Sequence, residues 1–310
     1  MKKQILALML GAAVLMANPD CALKNGSLLC SFGQVKAEII EVDSIEQIPF
    51  SKYTPKDCMG FDFDDTLWTT EQKIMRRANF DARKAFLADI RTQRGDERVS
   101  FAYDHSKYRL VEEGLKPEID KLNERQVMTF GFSARRTGKA TKDQKTFVED
   151  DTLGILKKLN INFQSTHLKN MIFEGMNPTN PQYSTNRSND RLTLFAEPHD
   201  AMVKDGVIFT NNIDKGLVLG EVFKRLGFFP EIFALVDDLK KNHIAVEEAI
   251  KKINETFGTN IKYEGYYYTK ASKLDNTLNP EVVNLQKEEL LKENPRFLLE
   301  EEALQQLRGQ

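Results

Sequence analysis

Three carboxylates follow a short apolar segment near residue 60, in the run Phe61-Asp62-Phe63-Asp64-Asp65-Thr66-Leu67. Burying like charges close together costs free energy unless a cation neutralises them, and Mg²⁺ prefers oxygen ligands of this kind. An acidic turn at the end of a strand, which is common in α/β proteins, would have the same sequence pattern. The run therefore predicts a divalent-cation site, with a plain acidic turn as the alternative.

Polar residues also follow three later apolar segments, two of them directly at the strand end and one at the start of the next helix, and parallel sheets place ligands at strand ends. In chain order they are Ser133 after the predicted strand Val127–Phe132, Lys215 after Val207–Thr210, and Asp237 with Asp238 after Ile232–Val236. Each has an ordinary explanation by itself: serine caps helices, lysine is usually solvated, and acids complement the dipole at a helix start. By themselves these residues would not predict a shared site; their combined interpretation depends on the series of motifs described next.

The run Asp62-Phe63-Asp64-Asp65-Thr66 resembles the first motif of the haloacid dehalogenase-like superfamily, Asp-x-Asp-x-Thr or Val at the end of the first sheet strand. Ser133, Lys215 and the pair Asp237-Asp238 resemble the second, third and fourth motifs of that superfamily, in the same order. The resemblance covers about Cys58 to Phe257. More narrowly, the chain is similar to an exported bacterial family of uncharacterised function within the superfamily, and more distantly to secreted acid phosphatases.

The resemblance implies a role for each of these residues. Asp62 would be the nucleophile and Asp64 the general acid and base, and both would contribute to Mg²⁺ binding, Asp64 through its backbone carbonyl. Ser133 would hydrogen-bond a phosphoryl oxygen, a task that suits a short hydroxyl donor. Lys215 would pair with the nucleophile and with the transferred phosphoryl group.

The acid pair of the fourth motif and two arginines complete the predicted site. Asp237 is the preferred metal ligand, with Asp238 either a second ligand or a support for Lys215. Arg135 and its neighbour Arg136 could reach a phosphate or carboxylate of the substrate, although a surface position is the usual explanation for an arginine. The four histidines show no ligand spacing, so no role is predicted for them.

The expected function is Mg²⁺-dependent hydrolysis of a phosphate monoester, with an aspartyl-phosphate intermediate on Asp62 and a small phosphorylated molecule as the substrate. The presence of Asp64 favours a hydrolase, because superfamily members that dehalogenate or cleave phosphonates tend to lack that acid. Two other functions remain open. One is a non-catalytic exported protein that only binds a phosphorylated partner or a cation, and the other is an interaction protein that presents its charged C-terminal helix.

The elements that must position these residues alternate between buried strands and helices. Helices are predicted at Glu71–Ile90, from Pro117, and at Lys142–Leu159, Lys215–Leu226 and Leu239–Phe257, with a short strand at 161–163. Such alternation implies parallel strands with right-handed crossovers. The predicted fold class is therefore α/β, a three-layer Rossmann-like parallel sheet of the haloacid dehalogenase type, with ligands at the carboxyl ends of the strands.

Two long insertions and a helical tail belong to the predicted domain of residues 38–310. The segment of residues 69–126 is longer than a plain crossover between two strands needs, and this length predicts a mainly helical cap that selects the substrate. Residues 138–206 predict a second insertion, whose polar stretch at 177–191 favours an exposed loop. The charged tail at 280–307 predicts an amphipathic helical region on the outside of the domain.

The first residues of the chain predict export. Two lysines precede an apolar run at Ile5–Ala17 that is too short to span a bilayer, which is the form of a signal peptide at 1–17. Cleavage as late as residue 37 is the alternative, and a periplasmic or secreted protein without a membrane span is expected after processing. Cys21 and Cys30 could pair after export, unless late cleavage leaves Cys58 alone.

The composition excludes few classes of protein. With 310 residues, 41% hydrophobic and 29% charged, the chain has enough material for a globular core. The net charge of −2 argues against a protein that coats nucleic acid phosphates, which would need a basic excess. No nucleic-acid partner is therefore expected, and the sequence indicates no oligomeric state.

Overall fold

The computed structural model describes residues 21–24, 27–30, 38–139, 146–163, 168–183 and 197–309. The predicted signal peptide at 1–17, the alternative cleavage site at residue 37 and part of the polar stretch at 177–191 lie outside these residues. The strands, numbered in chain order, are β1 (Cys21–Lys24), β2 (Ser27–Cys30), β3 (Glu38–Val42), β4 (Cys58–Phe61), β5 (Trp68–Thr70), β6 (Tyr108–Leu110), β7 (Met128–Ser133), β8 (Gly138–Lys139), β9 (Met171–Ile172), β10 (Glu197–Pro198), β11 (Met202–Lys204), β12 (Val207–Phe209), β13 (Ile232–Asp237) and β14 (Lys262–Tyr268).

The central sheet of the described residues has the strand order β3-β14-β13-β4-β7-β12-β11-β9. The strands from β3 to β12 in this order pair in parallel, and β11 and β9 extend the sheet in antiparallel register. Because neighbouring parallel strands end at the same edge, the ends of β4, β7 and β13 meet there. The mainly parallel sheet expected from the alternating pattern is thus confirmed.

Helices cover both faces of this sheet. The α-helices of the described residues are α1 (Phe80–Asp104), α2 (Leu115–Glu124), α3 (Val148–Lys158), α4 (Lys215–Leu226), α5 (Lys240–Phe257), α6 (Pro280–Leu291) and α7 (Glu300–Arg308). Apolar residues of α2 and α3 pack with Phe61 and Val236 on one face, and those of α4 and α5 pack with Phe233 and Leu235 on the other. The arrangement is a three-layer α/β fold.

A glycine lets β7 lie close to the acidic run that follows β4. A Cβ atom added at Gly131 would lie 2.3 Å from Cζ of Phe63, closer than two non-bonded carbon atoms can approach. Phe63 is fully buried and stands between Asp62 and Asp64, so its position fixes the backbone of the run. Gly131 therefore serves the placement of the acids as well as the packing of the sheet.

The segment from β5 through α1 to β6, here called the cap, has two strands that pair with each other and not with the central sheet. Its helix α1 breaks at Gly95, where φ is +78°. Phe86 and Ile90 of α1 pack against Leu290 and Phe297 of the C-terminal tail. The tail, which forms α6 and α7 with a break between them, thus completes the apolar core of the cap.

Several predicted boundaries differ from the observed ones. The helix predicted at Glu71–Ile90 begins at Phe80, because 73–79 form two short 3-10 helices whose backbone is tied to other parts of the chain. The helix α2 lies within the predicted cap range 69–126 but packs on the central sheet. Residues 161–163 form no strand, although Ile161 and Phe163 are buried.

The cysteines occupy different settings. In the hairpin of β1 and β2, the backbone of Cys21 lies opposite that of Cys30, so the possibility that the two form a disulfide stays a prediction. Cys58 is a free, buried thiol in β4. Among the described residues, no helix combines the length and the apolar character needed to cross a bilayer.

A buried carboxylate ties β14 to the segment before β4. Glu264 accepts hydrogen bonds from Lys262 at 2.7 Å and from the Tyr53 hydroxyl at 2.8 Å, and its other close partner is Lys52, 2.6 Å away. Burial by itself would raise the pKa of Glu264, but the bonds from Lys262, Lys52 and Tyr53 lower it from about 4.5 to about 2. Ionised Glu264 therefore stabilises the folded chain.

We expect Glu264→Gln to lower the free energy of unfolding by about 2 kcal/mol at pH 7, because it removes the charge that these donors bind. Because the pKa of Glu264 is lower in the folded chain than in the unfolded chain, ionised Glu264 stabilises the folded state above the unfolded-state pKa. This stabilisation is lost as the pH falls through the folded-state pKa. The difference between variant and parent should therefore be full above about pH 4.5 and vanish toward pH 2. Urea denaturation at several pH values measures it.

The matched control is Glu231→Gln, whose exposed partner is Lys56 at 2.7 Å. An exposed pair of this kind contributes less than about 1 kcal/mol, so the control should unfold much as the parent does. A pH-independent loss in Glu264→Gln, or a loss in Glu231→Gln of the same size, would contradict the assignment.

Candidate functional site

Three carboxylates meet at the carboxyl edge of the central sheet. Asp62 follows β4, Asp237 is the last residue of β13, and Asp238 comes next. The strands pair in parallel with Phe61 opposite Val236, and the amide of Asp62 donates to the carbonyl of Val236 at 2.9 Å. One carboxylate oxygen from each acid lies within 4.8 Å of the others. Asp62, Asp237 and Asp238 are called the acid cluster below.

The ammonium group of Lys215 joins two members of this cluster. Its Nζ atom donates to Oδ1 of Asp62 at 2.7 Å and to Oδ2 of Asp237 at 2.6 Å. Lys215 is the first residue of α4, and Asp214 caps that helix by accepting from the amides of residues 216 and 217. The start of α4 thus holds the lysine against two different strand ends, where it is buried.

Asp237 is fully occupied by protein donors. Its Oδ1 accepts from the amide of Leu239 at 2.8 Å, and the Asn242 side chain donates to both carboxylate oxygens at 2.9 Å. Oδ2 also binds Lys215. The buried ring of His243 contacts the Asp237 carbonyl at 3.0 Å. These contacts make Asp237 the support of Lys215.

Asp238 retains an open oxygen. Its Oδ2 accepts from Nη1 of Arg77 at 3.0 Å, and its backbone amide donates to Oγ1 of Thr66 at 3.0 Å. Its Oδ1 is buried and has no hydrogen-bond partner among the described residues. Buried polar atoms are nearly always paired, so this oxygen fits a ligand position for a cation. Asp238 thus has an open oxygen that Asp237 lacks, while Asp237, the ligand preferred from the sequence, stays one of the three acids whose oxygens approach one another.

The pKa values of the cluster show an excess of buried negative charge. Burial raises the pKa of Asp62 to about 7, against the opposing effect of Lys215. Burial, together with Asp62 and Asp237, raises the pKa of Asp238 to about 8. Burial would lower the pKa of Lys215, but Asp237 and Asp62 raise it. Three carboxylates that face one lysine would thus leave negative charge, which a hard divalent cation would neutralise.

Asp64 forms a separate ion pair beside the cluster. Oδ1 and Oδ2 accept from Nη2 and Nε of Arg135 at 2.6 and 2.8 Å, and Oδ1 also accepts from Nε1 of Trp68 at 3.0 Å. Partial burial opposes ionisation, but Arg135 and Trp68 lower the pKa of Asp64 below its usual value. The guanidinium lies over the rings of Trp68 and Tyr108. Arg135 is therefore a partner of Asp64 in this arrangement.

Ser133 ends β7 and is buried at the same edge of the sheet. Its hydroxyl accepts from the amide of Arg135 at 3.1 Å, and its carbonyl accepts from the amide of Thr210 at 2.8 Å. Thr129, the less suitable hydroxyl by sequence, is buried inside β7 and binds the Asn123 side chain instead. Ser133 thus occupies the strand end predicted for it.

The structure brings Asp62, Lys215, Asp237 and Asp238 into direct contact or close approach. The sequence interpretation did not include three residues of the site: Arg77, Asn242 and His243. Asn242 and His243 lie in the first turn of α5, immediately after the acid pair, which is the signal that could have found them. Arg77 reaches the cluster from a distant segment, and no local pattern marks it.

Comparison with known proteins gives a family without an assigned activity. The family described as "Protein of unknown function (DUF2608)" matches residues 43–305. An uncharacterised protein of Rickettsia felis is 22% identical over 272 residues, which cover 80% of this chain and 83% of that protein. No solved structure matches the chain.

We expect Mg²⁺ to stabilise the folded chain through Asp238. A ligand that binds only the native state at 100 times its dissociation constant adds about 2.7 kcal/mol to the free energy of unfolding. Asp238→Asn should lose most of this gain, because it removes the charge of the open carboxylate. Denaturation with and without Mg²⁺ measures both.

Asp65→Asn serves as the control, since Asp65 lies outside the acid cluster and accepts from the Thr69 hydroxyl at 2.9 Å. It should keep a larger share of the Mg²⁺-dependent gain than Asp238→Asn. If Mg²⁺ stabilised the Asp238→Asn chain and its parent equally, Asp238 would not be a ligand of the cation.

Proposed function

Because the chain belongs to the DUF2608 family, whose description leaves the function open, we propose its function from the site itself. The protein is a Mg²⁺-dependent phosphatase with a fold of the haloacid dehalogenase type, and it hydrolyses a small phosphate monoester through an aspartyl-phosphate on Asp62. The observation that carries the proposal is the buried Lys215 bridge from Asp62 to Asp237, beside the open oxygen of Asp238.

Asp62 is the nucleophile in this proposal. Lys215 binds its Oδ1 atom, which leaves Oδ2 to attack phosphorus. Attack forms the Oδ2–P bond and breaks the bond from phosphorus to the leaving oxygen. Asp62, the carbonyl of Asp64 and Asp238 would hold Mg²⁺, with Asp237 next to them. When bound, the cation supplies the positive charge that lets one anion approach another.

Asp64 acts on protons in this proposal. In the second step its carboxylate takes a proton from the water that attacks the aspartyl-phosphate, and the pair with Arg135 favours the ionised form required for this. The proton that Asp64 takes from this water is the one that it gives to the leaving oxygen in the first step of the next turnover, and Arg135 must release one carboxylate oxygen for this. Released Arg135 is then a donor to the substrate.

Ser133 and the cap complete the proposed mechanism. The Ser133 hydroxyl, at the end of β7, donates to a phosphoryl oxygen. The cap contacts Asp238 at the edge of the sheet through Arg77, and in this proposal it selects the leaving group. Export to the periplasm or beyond the cell belongs to the same proposal, and the substrate is then a small phosphorylated molecule of that compartment.

We expect the chain to hydrolyse p-nitrophenyl phosphate in the presence of Mg²⁺ and to lose this activity when EDTA removes the metal. Asp62→Asn should lower kcat by roughly 1000-fold or more, because the amide keeps the shape of the side chain but is a poor nucleophile. Release of p-nitrophenol measures both effects.

The control is Asp96→Asn, which changes an exposed carboxylate paired with Arg91 on α1. It should keep the activity of the parent. Hydrolysis by Asp62→Asn at the parental rate would reject Asp62 as the nucleophile. Binding of phosphate and Mg²⁺ without any turnover in the parent would favour the exported binding protein instead.

A further inference from the structure

Arg77 contacts the acid cluster although none of the four motifs includes it. Its Nη1 donates to Oδ2 of Asp238 at 3.0 Å. Arg77 begins a short 3-10 helix directly before α1, so the contact joins the cap to the acid whose other oxygen is open. A cation on Asp238 would therefore lie one carboxylate away from this guanidinium.

The segment that carries Arg77 is held in place by the chain around it. The neighbouring Arg76 is buried, and it donates to the carbonyls of Thr70 and Asp275 at 2.8 Å each. Asn79 donates to the carbonyl of Asn276 at 2.9 Å. Bonds on both sides of Arg77 thus fix its backbone before any ligand arrives.

Arg77 has donors to spare, unlike Arg76. A guanidinium carries five N–H groups, and that of Arg77 shows one hydrogen bond among the described residues, the one to Asp238. Its side chain is 46% exposed. The remaining donors are therefore available to a ligand at the mouth of the site.

The sum of the charges in the acid cluster and its direct contacts also indicates a role for Arg77. When all are ionised, Asp62, Asp237 and Asp238 carry three negative charges, and Lys215 and Arg77 carry two positive ones. A divalent cation turns this deficit into an excess of one positive charge. Without Arg77 the cation-loaded site would be neutral, so Arg77 supplies the charge that attracts an anion.

We propose that Arg77 binds the phosphoryl group of the substrate from the side of the cap, an inference that rests on the proposed phosphatase function. A cation bound to Asp238 would weaken the hold of that carboxylate on the guanidinium. The planar fork of Arg77 then binds phosphoryl oxygens, whose geometry it matches. The added charge favours the dianion of a phosphate monoester over the single charge of a diester.

The test is calorimetric titration of inorganic phosphate into the full chain with saturating Mg²⁺. Arg77→Gln should raise the dissociation constant of phosphate about tenfold or more, and Arg77→Lys about threefold, because lysine keeps the charge but lacks the fork. Arg91→Gln is the matched control, since Arg91 on α1 pairs with exposed Asp96. It should stay within about twofold of the parent.

Arg77→Lys decides the question if Arg77→Gln does not fold, which thermal melting shows. This inference alone is overturned if the parent hydrolyses p-nitrophenyl phosphate but the Arg77 variants bind phosphate as tightly as the parent does. Arg77 would then only attach the cap to the acid cluster. A parent that neither hydrolyses the ester nor binds phosphate overturns the proposed function and this inference together.

Discussion

The bridge that Lys215 makes between Asp62 and Asp237 is the constraint on which the rest of the site depends. Three separate segments converge on it: the end of β4, the end of β13 and the start of α4. Buried charges are tolerated only when they are paired and hydrogen-bonded, and removal of one partner of such a set costs about 3–5 kcal/mol. The fold must therefore hold all three segments in register, and the parallel sheet does so.

Two adjacent acids of the same type divide the work between them. Asp237 is fully buried, and Lys215, Asn242 and the amide of Leu239 occupy both of its oxygens. Asp238, one residue later, has one buried oxygen without a hydrogen-bond partner among the described residues, and its other oxygen binds Arg77. One acid thus fixes the lysine, and the other keeps an oxygen that the proposed cation would bind.

The sequence predicted those parts of the fold that local pattern determines. The helix Lys215–Leu226 was predicted with its observed bounds, because Asp214 caps its start and Gly227 ends it at a φ of +60°. The strand β14 was not predicted, since Lys262 and Glu264 give it charges, and part of what stabilises buried Glu264 comes from the distant Lys52 and Tyr53. Residues 73–79 were expected to be helical, but bonds to the remote Asp275 and Asn276 set their backbone.

The same limit applies to the site. Strand ends identified Asp62, Ser133, Asp237 and Asp238, and a helix start identified Lys215. The pairing of Asp64 with Arg135 and of Asp238 with Arg77 depends instead on contacts far apart in sequence. The measurement that tests the phosphatase account most directly is peptide mapping by mass spectrometry after an acid quench during turnover. The account predicts a phosphoryl group on Asp62. Turnover with a phosphoryl group on another residue, or with none on the chain, would contradict it.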